Sequence, residues 1–579
     1  MKQFWKYALA TMVGLLLFSV VSAMITWGVM GMMLALDSST PVMRPNSVYK
    51  IELEGVLKDR PEQDDVRSMI GKLSGRDDVK ELSLQDLLRN LAYARDNSDV
   101  RGIVLYCGAL QADYASLQEL RKALQKFKDR GGFILAYADD YTQSTYYLAS
   151  VADAVYLNPS GSLEWSGLYT TLAYFSRLLD KVGVEMQVVK VGEFKSAVET
   201  YIQTGMSDAA RLQLEELQGD LWKEVRHAVS ESRNISEEKL DEYAEMNMLF
   251  ADPKDLVAYG FVDTLHYRSD MGRITQFSAL PQQLYYLSND DMSVLASAKE
   301  EYVKDKIAVI YAEGAISDSG TEGIVREDMM KTIRKVADDD NIRAVVLRVN
   351  SPGGSAYASE QIWYELSEMK TGKPLVVSMG GYAASGGYYI SCLGDSIFAD
   401  ENTITGSIGI FGLVPCVKEL SDKVGVDFDC VQTHHLSSSS TSMIVEGLSP
   451  EERVLMQGMI NRGYEQFVGR CAEGRGMTTD EIKAIAEGRV WSGKKAMEIG
   501  LVDAMGGTHR AIESAARMAG LTKYEVVAYP KPKDSFTQLM EMLSGTDTED
   551  VMTMGLKKLE KTMKESKLQA RLPYEIQIH

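Results

Sequence analysis

Displaced by 242 positions, the first half of this sequence falls into register with the second. Asp99-Val-Arg-Gly-Ile-Val-Leu105 lies over Asn341-Ile-Arg-Ala-Val-Val-Leu347, Asp180-Lys-Val-Gly-Val184 over Asp422-Lys-Val-Gly-Val426, and Gly205-Met-Ser207 over Gly447-Leu-Ser449. Between the first two anchors the offset is 241, where Tyr141-Thr-Gln-Ser144 meets Tyr382-Ala-Ala-Ser385. A repeat of this length constrains architecture more than composition does, because both copies must bury the same pattern of apolar faces. Strand-like runs alternate with helical ones, as in Gly102–Leu105, Ala115–Phe127 and Phe133–Tyr137. That alternation predicts an α/β fold with mainly parallel strands, present twice.

The differences between the copies carry the chemistry. In the second copy the strand-like run Ala344–Val349 ends in Asn350-Ser-Pro-Gly-Gly354. Paired glycines after a buried strand let the backbone approach a ligand and point N–H groups at it, which is how main chain builds an oxyanion hole. The first copy has Gly108-Ala-Leu-Gln-Ala112 there. Downstream, the second copy reads Met379-Gly-Gly-Tyr-Ala-Ala-Ser385-Gly-Gly-Tyr388, with small residues on both sides of one serine. The first copy keeps Ser144 but follows it with Thr145 and Tyr146, which crowd the approach. Carried forward, the register sets Lys195, in Lys190-Val-Gly-Glu-Phe-Lys195, over Ser437. One copy therefore holds a serine and glycines without a lysine, and the other the reverse. Packed side by side, they would complete one Ser–Lys site.

A serine hydroxyl is a weak nucleophile until a neighbouring base takes its proton. A lysine serves as that base only when desolvation lowers its pKa, since at about 10.4 only ~0.04% is neutral at pH 7. Phe194, Ala197 and Val198 are consistent with such a setting. A second hydroxyl can hold the amine in place. Ser407, in Thr405-Gly-Ser-Ile-Gly409, lies 22 residues after Ser385, as Ser166 lies 22 after Ser144. Six histidines are present, none in a metal-binding spacing. Of these, His434 and His435 lie in the stretch matched to Lys195 and leave a Ser–His pairing as the rival chemistry.

The stretches VGEFKSAVE around Lys195, LRVNSPGGSA from Leu347, GGYAASGGYYIS around Ser385 and TGSIGIFG around Ser407 closely resemble the signal peptide peptidase A (protease IV) family in its long, duplicated form. The likeness runs from about residue 47 to 530 and extends to the N-terminal apolar segment. It implies a membrane-bound Ser–Lys peptidase with tandem domains folded like the Clp protease and the crotonases. Ser385 would be the nucleophile, Lys195 the general base and Ser407 the group orienting it. Amides near Gly353, Gly354 and Gly386 would bind the oxyanion. Leftover signal peptides and other short hydrophobic peptides are the implied substrates, a homo-oligomer, with a tetramer favoured, the implied assembly. No metal or organic cofactor is implied. Two other classes share parts of the pattern: a crotonase-like acyl-CoA enzyme and a non-catalytic membrane scaffold.

Tyr7–Leu36 is a run of 30 uncharged residues, flanked by Lys2, Lys6 and Asp37. That exceeds the roughly 20 needed to span a bilayer and an ordinary cleavable signal. We expect a single-pass signal anchor, and the basic N-terminal flank sets the bulk outside, on the periplasmic side of a bacterial inner membrane. The expected division is thus 1–46 for cytoplasmic end and anchor, 47–290 for the lysine-bearing domain, 304–530 for the serine-bearing domain and 531–579 for a tail, with the polar stretch Ser288–Lys304 between copies. Net charge is −20 without a clustered basic surface, which argues against nucleic acid. Five cysteines (107, 392, 416, 430 and 471) without CxxC spacing read as buried thiols. In the tail, Asp534–Met542 and Leu556–Leu568 have helical potential, and Leu572–His579 could form an extended arm. A solvated tail is the default expectation, docking on a neighbouring subunit the alternative.

Overall fold

The computed structural model describes residues 41–60, 80–278, 283–298, 303–531 and 569–571, with a few positions between 12 and 21. The expected anchor, residues 7–36, lies almost wholly outside the described residues, and among those described no helix is long and apolar enough to cross a membrane. The first copy contributes strands β1 (Ser47–Lys58), β2 (Glu81–Ser83), β3 (Val100–Gln111), β4 (Phe133–Ala138), β5 (Ala154–Leu157), β6 (Glu185–Lys190), β7 (Thr264–Leu265) and β8 (Tyr285–Leu287). The second contributes β9 (Lys306–Glu313), β10 (Ile316–Ser317), β11 (Ile324–Val325), β12 (Ile342–Ser351), β13 (Gly353–Ser355), β14 (Leu375–Ala384), β15 (Ser396–Ala399), β16 (Ile404–Gly406), β17 (Phe411–Cys416), β18 (Val490–Ser492), β19 (Ala504–Met505) and β20 (Glu525–Tyr529). A last short strand, β21 (Gln569–Arg571), comes from the tail.

The duplication is written into the hydrogen bonding. In the first copy the pairing path is β8-β1-β3-β4-β5-β7, every step parallel. In the second it is β20-β9-β12-β14-β15-β19, again every step parallel. Parallel strands are covered on both faces and so read as continuous apolar runs. Ile103–Leu105 and Val345–Leu347 are both fully buried. Caps repeat at the same offset. Asp113 accepts from Ser116 N and Ser355 from Ala358 N, starting the helices Tyr114–Asp129 and Ala356–Lys370. Ser207 and Ser449 cap two helices of 26 residues each, Asp208–Arg233 and Pro450–Arg475. An unsatisfied helix N-terminus needs such a side-chain acceptor, so capping residues persist where the flanking sequence drifts.

The first copy ends later than expected. The stretch expected as a linker opens with the helix Asn289–Ser297, started by a reciprocal Ser288–Asp291 capping box. Its Met292 and Ala296 are buried, and Asn289 is bonded by Tyr49 and Asn90. The polarity that suggested a linker belongs to the helix's outer face.

A third sheet joins the copies. Its order is β11-β10-β13-β21-β17-β6, so a first-copy strand, β6, closes a sheet otherwise built from the second copy and the tail. β6 and β17 pair antiparallel from Phe411↔Lys190 to Cys416↔Glu185. Elsewhere on the junction, the buried Arg348 guanidinium lies 2.8 Å from Asp59 and 3.2 Å from Glu119, both of the first copy. It also donates to Ser378 Oγ and the Met379 carbonyl. Removing one partner would strand a buried charge, which typically costs about 3–5 kcal/mol. The relative placement of the copies is thus fixed at two separate points.

Of the cysteines, 107, 392, 416 and 471 are buried and none is bridged. Cys430 departs from expectation: it is exposed, in the segment after the helix Lys418–Val424.

Candidate active site

β14 runs straight into Ser385, which turns the chain sharply into the short helix Gly386–Ser391. Ser385 holds φ 56° and ψ −115°, a conformation that a residue with a Cβ adopts only when its surroundings enforce it. Enforcement is visible. Its N–H donates to the Gly406 carbonyl at 2.8 Å. The next two positions have no room for a side chain: a Cβ on Gly386 would stand 2.6 Å from Ser359 Oγ, and one on Gly387 2.6 Å from the Ser351 carbonyl. The strand–turn–helix lifts the hydroxyl out of the sheet, as in a nucleophile elbow.

β16 lies beside β14 in parallel register, with Ala384 opposite Gly406, so the residues after them, Ser385 and Ser407, stand side by side. Ser407 is also held at positive φ, 52°, with its N–H bonded to the Arg489 carbonyl at 2.7 Å. The lysine arrives from the other copy. β6 carries the chain along β17 and releases it at Lys190, and the following loop is clamped to the loop after the helix Thr479–Ile485. Phe194 N–H donates to the Glu487 carbonyl at 3.0 Å. A Cβ on Gly192 would meet that carbonyl at 2.3 Å, and one on Gly488 would meet Lys195 Cβ at 2.7 Å.

Lys195 Nζ then lies 2.8 Å from Ser385 Oγ, 3.0 Å from Ser407 Oγ and 3.0 Å from the Ser407 carbonyl. The side chain is fully buried, and burial alone pulls its pKa from 10.5 down to about 7. No carboxylate opposes that shift. The partners also sort themselves for a neutral amine. Ser407 Oγ donates its own proton to the Gly488 carbonyl at 3.2 Å, so its oxygen is free to accept. Two Nζ–H bonds go to the Ser407 oxygens, and the lone pair faces the Ser385 hydroxyl. An activated nucleophile needs this orientation.

Gly353 and Gly354 form the start of β13. Gly353 is at φ 96° and its N–H donates to Ser351 Oγ at 3.2 Å. The Gly354 amide lies close to Gly386, 3.2 Å from where a Cβ on that residue would sit, and a Cβ on Gly354 itself would overlap the Ile316 carbonyl. The structure therefore brings together Lys195, Ser385, Ser407, Gly354 and Gly386, with Gly353 beside them and its amide engaged. The histidine alternative is placed elsewhere: His434 and His435 are exposed, bonded to Thr433 and Glu451. Ser437, the register partner of Lys195, is exposed and bonds the His434 carbonyl.

Two supporting residues escaped the sequence reading. Gly488 gives Lys195 the space to lie flat on the second copy. Gln213, fully buried on the helix Asp208–Arg233, donates to the Phe194 carbonyl at 3.1 Å and Ser196 Oγ at 3.0 Å while accepting from Val490 N. It ties the lysine loop to β18. The available signal was a glutamine interrupting an apolar stripe of Ala210, Leu214, Leu217 and Leu221.

Comparison with known proteins matches both copies of this chain. The family model described as Peptidase family S49 matches residues 126–274 and 367–522, one block in each copy. Protease 4 of Salmonella typhi is 36% identical over 518 residues, covering 86% of this chain and 82% of that one. Protease 4 of Haemophilus influenzae is 36% identical over 486 residues, covering 81% and 78%. Among solved structures, a ClpP1 mutant from Listeria monocytogenes matches 35% of this chain and 94% of its own at 16% identity, with a TM-score of 0.25. The chain belongs to peptidase family S49. It is a serine-type peptidase of the long, duplicated form, and the acyl-CoA enzyme and the non-catalytic scaffold fall away with that membership.

Proposed function

We propose that this chain is an endopeptidase working through a Ser385–Lys195 dyad shared between its two copies. The observation carrying the reading is the 2.8 Å contact between an amine and a serine hydroxyl in a buried pocket without a counter-charge. Neutral Lys195 accepts the Ser385 proton as Oγ attacks the scissile carbonyl, giving a tetrahedral intermediate. The amides of Gly354 and Gly386 face the oxyanion, and Gly353 can add its own by leaving Ser351. Protonated Lys195 then gives its proton to the leaving amine. Water, deprotonated by Lys195, hydrolyses the acyl ester and frees Ser385. Ser407 keeps the amine aimed throughout.

The substrates in this reading are cleaved signal peptides and other short hydrophobic peptides, met at the outer face of a bacterial inner membrane by a chain anchored through residues 7–36. The active form is a homo-oligomer that shields the site. Exposed apolar side chains support that part: Leu178 and Val182 on the helix Ser176–Val182 and Val424 and Val426 at the end of the adjoining helix Lys418–Val424. A cluster of this kind on a soluble face favours a protein partner. Fluorophosphonate labelling tests the dyad. Ser385 should label in the wild type and not in Lys195→Met, and equal labelling in both would refute it. Sedimentation of the intact protein in detergent tests the assembly, and an active monomer would remove it.

A further inference from the structure

Three consecutive carbonyls in the turn before β18 hold both sides of the base assembly. Glu487 accepts from Phe194 N at 3.0 Å, Gly488 from Ser407 Oγ at 3.2 Å and Arg489 from Ser407 N at 2.7 Å. These bonds fix the backbone of the lysine loop and leave the Phe194 ring to be held by a side chain. Arg489 supplies it. Its guanidinium carbon lies 4.9 Å from the centre of the Phe194 ring and 4.3 Å from that of Trp491, bridging the two. Both distances fall within the roughly 6 Å reach of a cation–π contact. The far end of the guanidinium pairs with Glu216, on the same helix as Gln213. Its Nε is buried and has no hydrogen-bond partner among the described residues, as expected of a group kept for its flat face.

The bridge is confined to the copy that receives the lysine. Gly260-Phe-Val-Asp263 lies over Gly500-Leu-Val-Asp503, an offset of 240 (500 − 260), which sets Asn247 over Glu487, both at positive φ, 54° and 55°. At that offset Leu249 stands where the second copy has Arg489, and Ala251 where it has Trp491. The backbone turn is shared between the copies and the arginine–aromatic pair is not. We infer that Arg489 is a positioning residue for the peptidase reaction, pinning Phe194 so that the next residue, Lys195, keeps its amine on Ser385 and out of water. This rests on the dyad reading above and adds a residue to it. Burial alone depresses the Lys195 pKa, so a loop that lifts admits water and lets the amine recover its ordinary basicity. The charged groups facing the loop are Lys190, which donates to the Lys195 carbonyl at 3.5 Å, Glu216, and the exposed Glu193 and Glu487. Among the described residues, none of these carboxylates bonds Nζ.

Arg489→Met in the full-length protein keeps the apolar stem and loses the charged plane. Its kcat on a short apolar fluorogenic peptide at neutral pH should fall about 10- to 100-fold at unchanged KM, the scale of a displacement of about 1 Å. The rise of kcat/KM with pH should move up by about one unit, so the loss shrinks in alkaline buffer. Arg489→Lys keeps the charge without the planar fork and should stay within about threefold of Arg489→Met. A larger recovery would make the effect one of charge and overturn the inference. A raised KM at unchanged kcat, or a fall in kcat with the pH profile in place, would overturn it too. Phe194→Leu reads the same contact from the other side and guards against a folding defect at Arg489. Combined with Arg489→Met it should add less than about twofold, because both changes break one contact, and additive losses would count against the bridge. The dyad is tested separately. Hydrolysis surviving in Lys195→Met overturns the dyad itself, whereas an inactive Lys195→Met beside an Arg489→Met that matches wild type overturns only the role of Arg489.

Discussion

Ser144 and Ser385 occupy matching places in the two copies, each after the strand that pairs with β3 or β12, and they have been put to different uses. In the first copy β4 stops at Ala138, Thr142 caps the next helix, and Ser144 falls inside it with ordinary helical geometry. Its hydroxyl bonds Thr142 Oγ1 at 3.0 Å. In the second copy β14 continues to Ala384 and the helix begins only at Gly386, leaving Ser385 at the corner with φ 56°. The same scaffold thus yields a satisfied core hydroxyl or a strained one facing an amine. What separates them is where the helix starts, and glycines decide that. Backbone strain of about 1–3 kcal/mol persists only where surroundings over-determine it, and the second copy has the close contacts at Gly386 and Gly387 that do so.

The largest effect should follow from removing the group only the second site receives. Lys195→Met keeps side-chain length and loses the base, so peptide hydrolysis should fall about 10⁴-fold, with little added by a further Ser385→Ala. In the wild type, kcat/KM should rise through a single ionisation near pH 7, where the lysine becomes neutral. Stability rises with pH as well, over the window above that ionisation. A lysine whose folded pKa is depressed binds fewer protons folded than unfolded between about 7 and 10.5, so this group's contribution to stability grows across that window as pH rises. The cost below pH 7 is on the order of 5 kcal/mol, offset by about 1–3 kcal/mol if Ser407 loses its partner. Lys195→Met should therefore unfold at higher denaturant concentration at pH 7 and lack the alkaline rise. A destabilised Lys195→Met would contradict the desolvated amine.

Next in size is Gly488→Ala. The added methyl would strike Lys195 Cβ, and the residue sits at φ 82°, where a side chain is strained. Activity should fall about 100-fold with a stability loss of about 1–2 kcal/mol, read from kcat and urea melts. The mirror change Gly192→Ala presses on the same loop from the other copy and should resemble it. Ser407→Ala comes after these. It deletes one of two acceptors orienting the amine but leaves the carbonyl, so kcat should drop about 10- to 100-fold at nearly constant KM. An equal loss in KM would mean that Ser407 contacts substrate.

Much of this arrangement was legible from the repeat alone. The offset of 242 carries both parallel sheets, the paired caps at Asp113 and Ser355, and the αL glycines Gly183 and Gly425 that end equivalent helices. The complementary loss of glycines in one copy and lysine in the other pointed to the residues that meet. Other parts were not legible, for physical reasons. Gly488 matters through a backbone contact with a residue nearly 300 positions away, which leaves no periodicity. β21 has three residues, too few for an alternating pattern, in a polar tail whose strand exists only because two edges receive it. The remaining tail elements, Asp534–Met542, Leu556–Leu568 and Leu572–His579, lie outside the described residues. The helix Asn289–Ser297 carried a recognisable capping box, but its charges resembled a linker.

The smallest expected effect closes the comparison from the other side. Ser144 is buried, and its bonds go to Thr142 Oγ1 and, at 3.5 Å, to the Leu110 carbonyl. The exposed Ser166, counterpart of Ser407, donates its N–H to Gln143, and among the described residues its hydroxyl meets no amine. Among the described residues no lysine bonds Ser144, and Ser437 stands exposed where the register would put one. Ser144→Ala should thus cost no more than about 1 kcal/mol, the net worth of an ordinary hydroxyl hydrogen bond, and leave kcat/KM within twofold of wild type. A larger fall in kcat/KM at unchanged stability would mean that the first copy takes part in the reaction through more than Lys195.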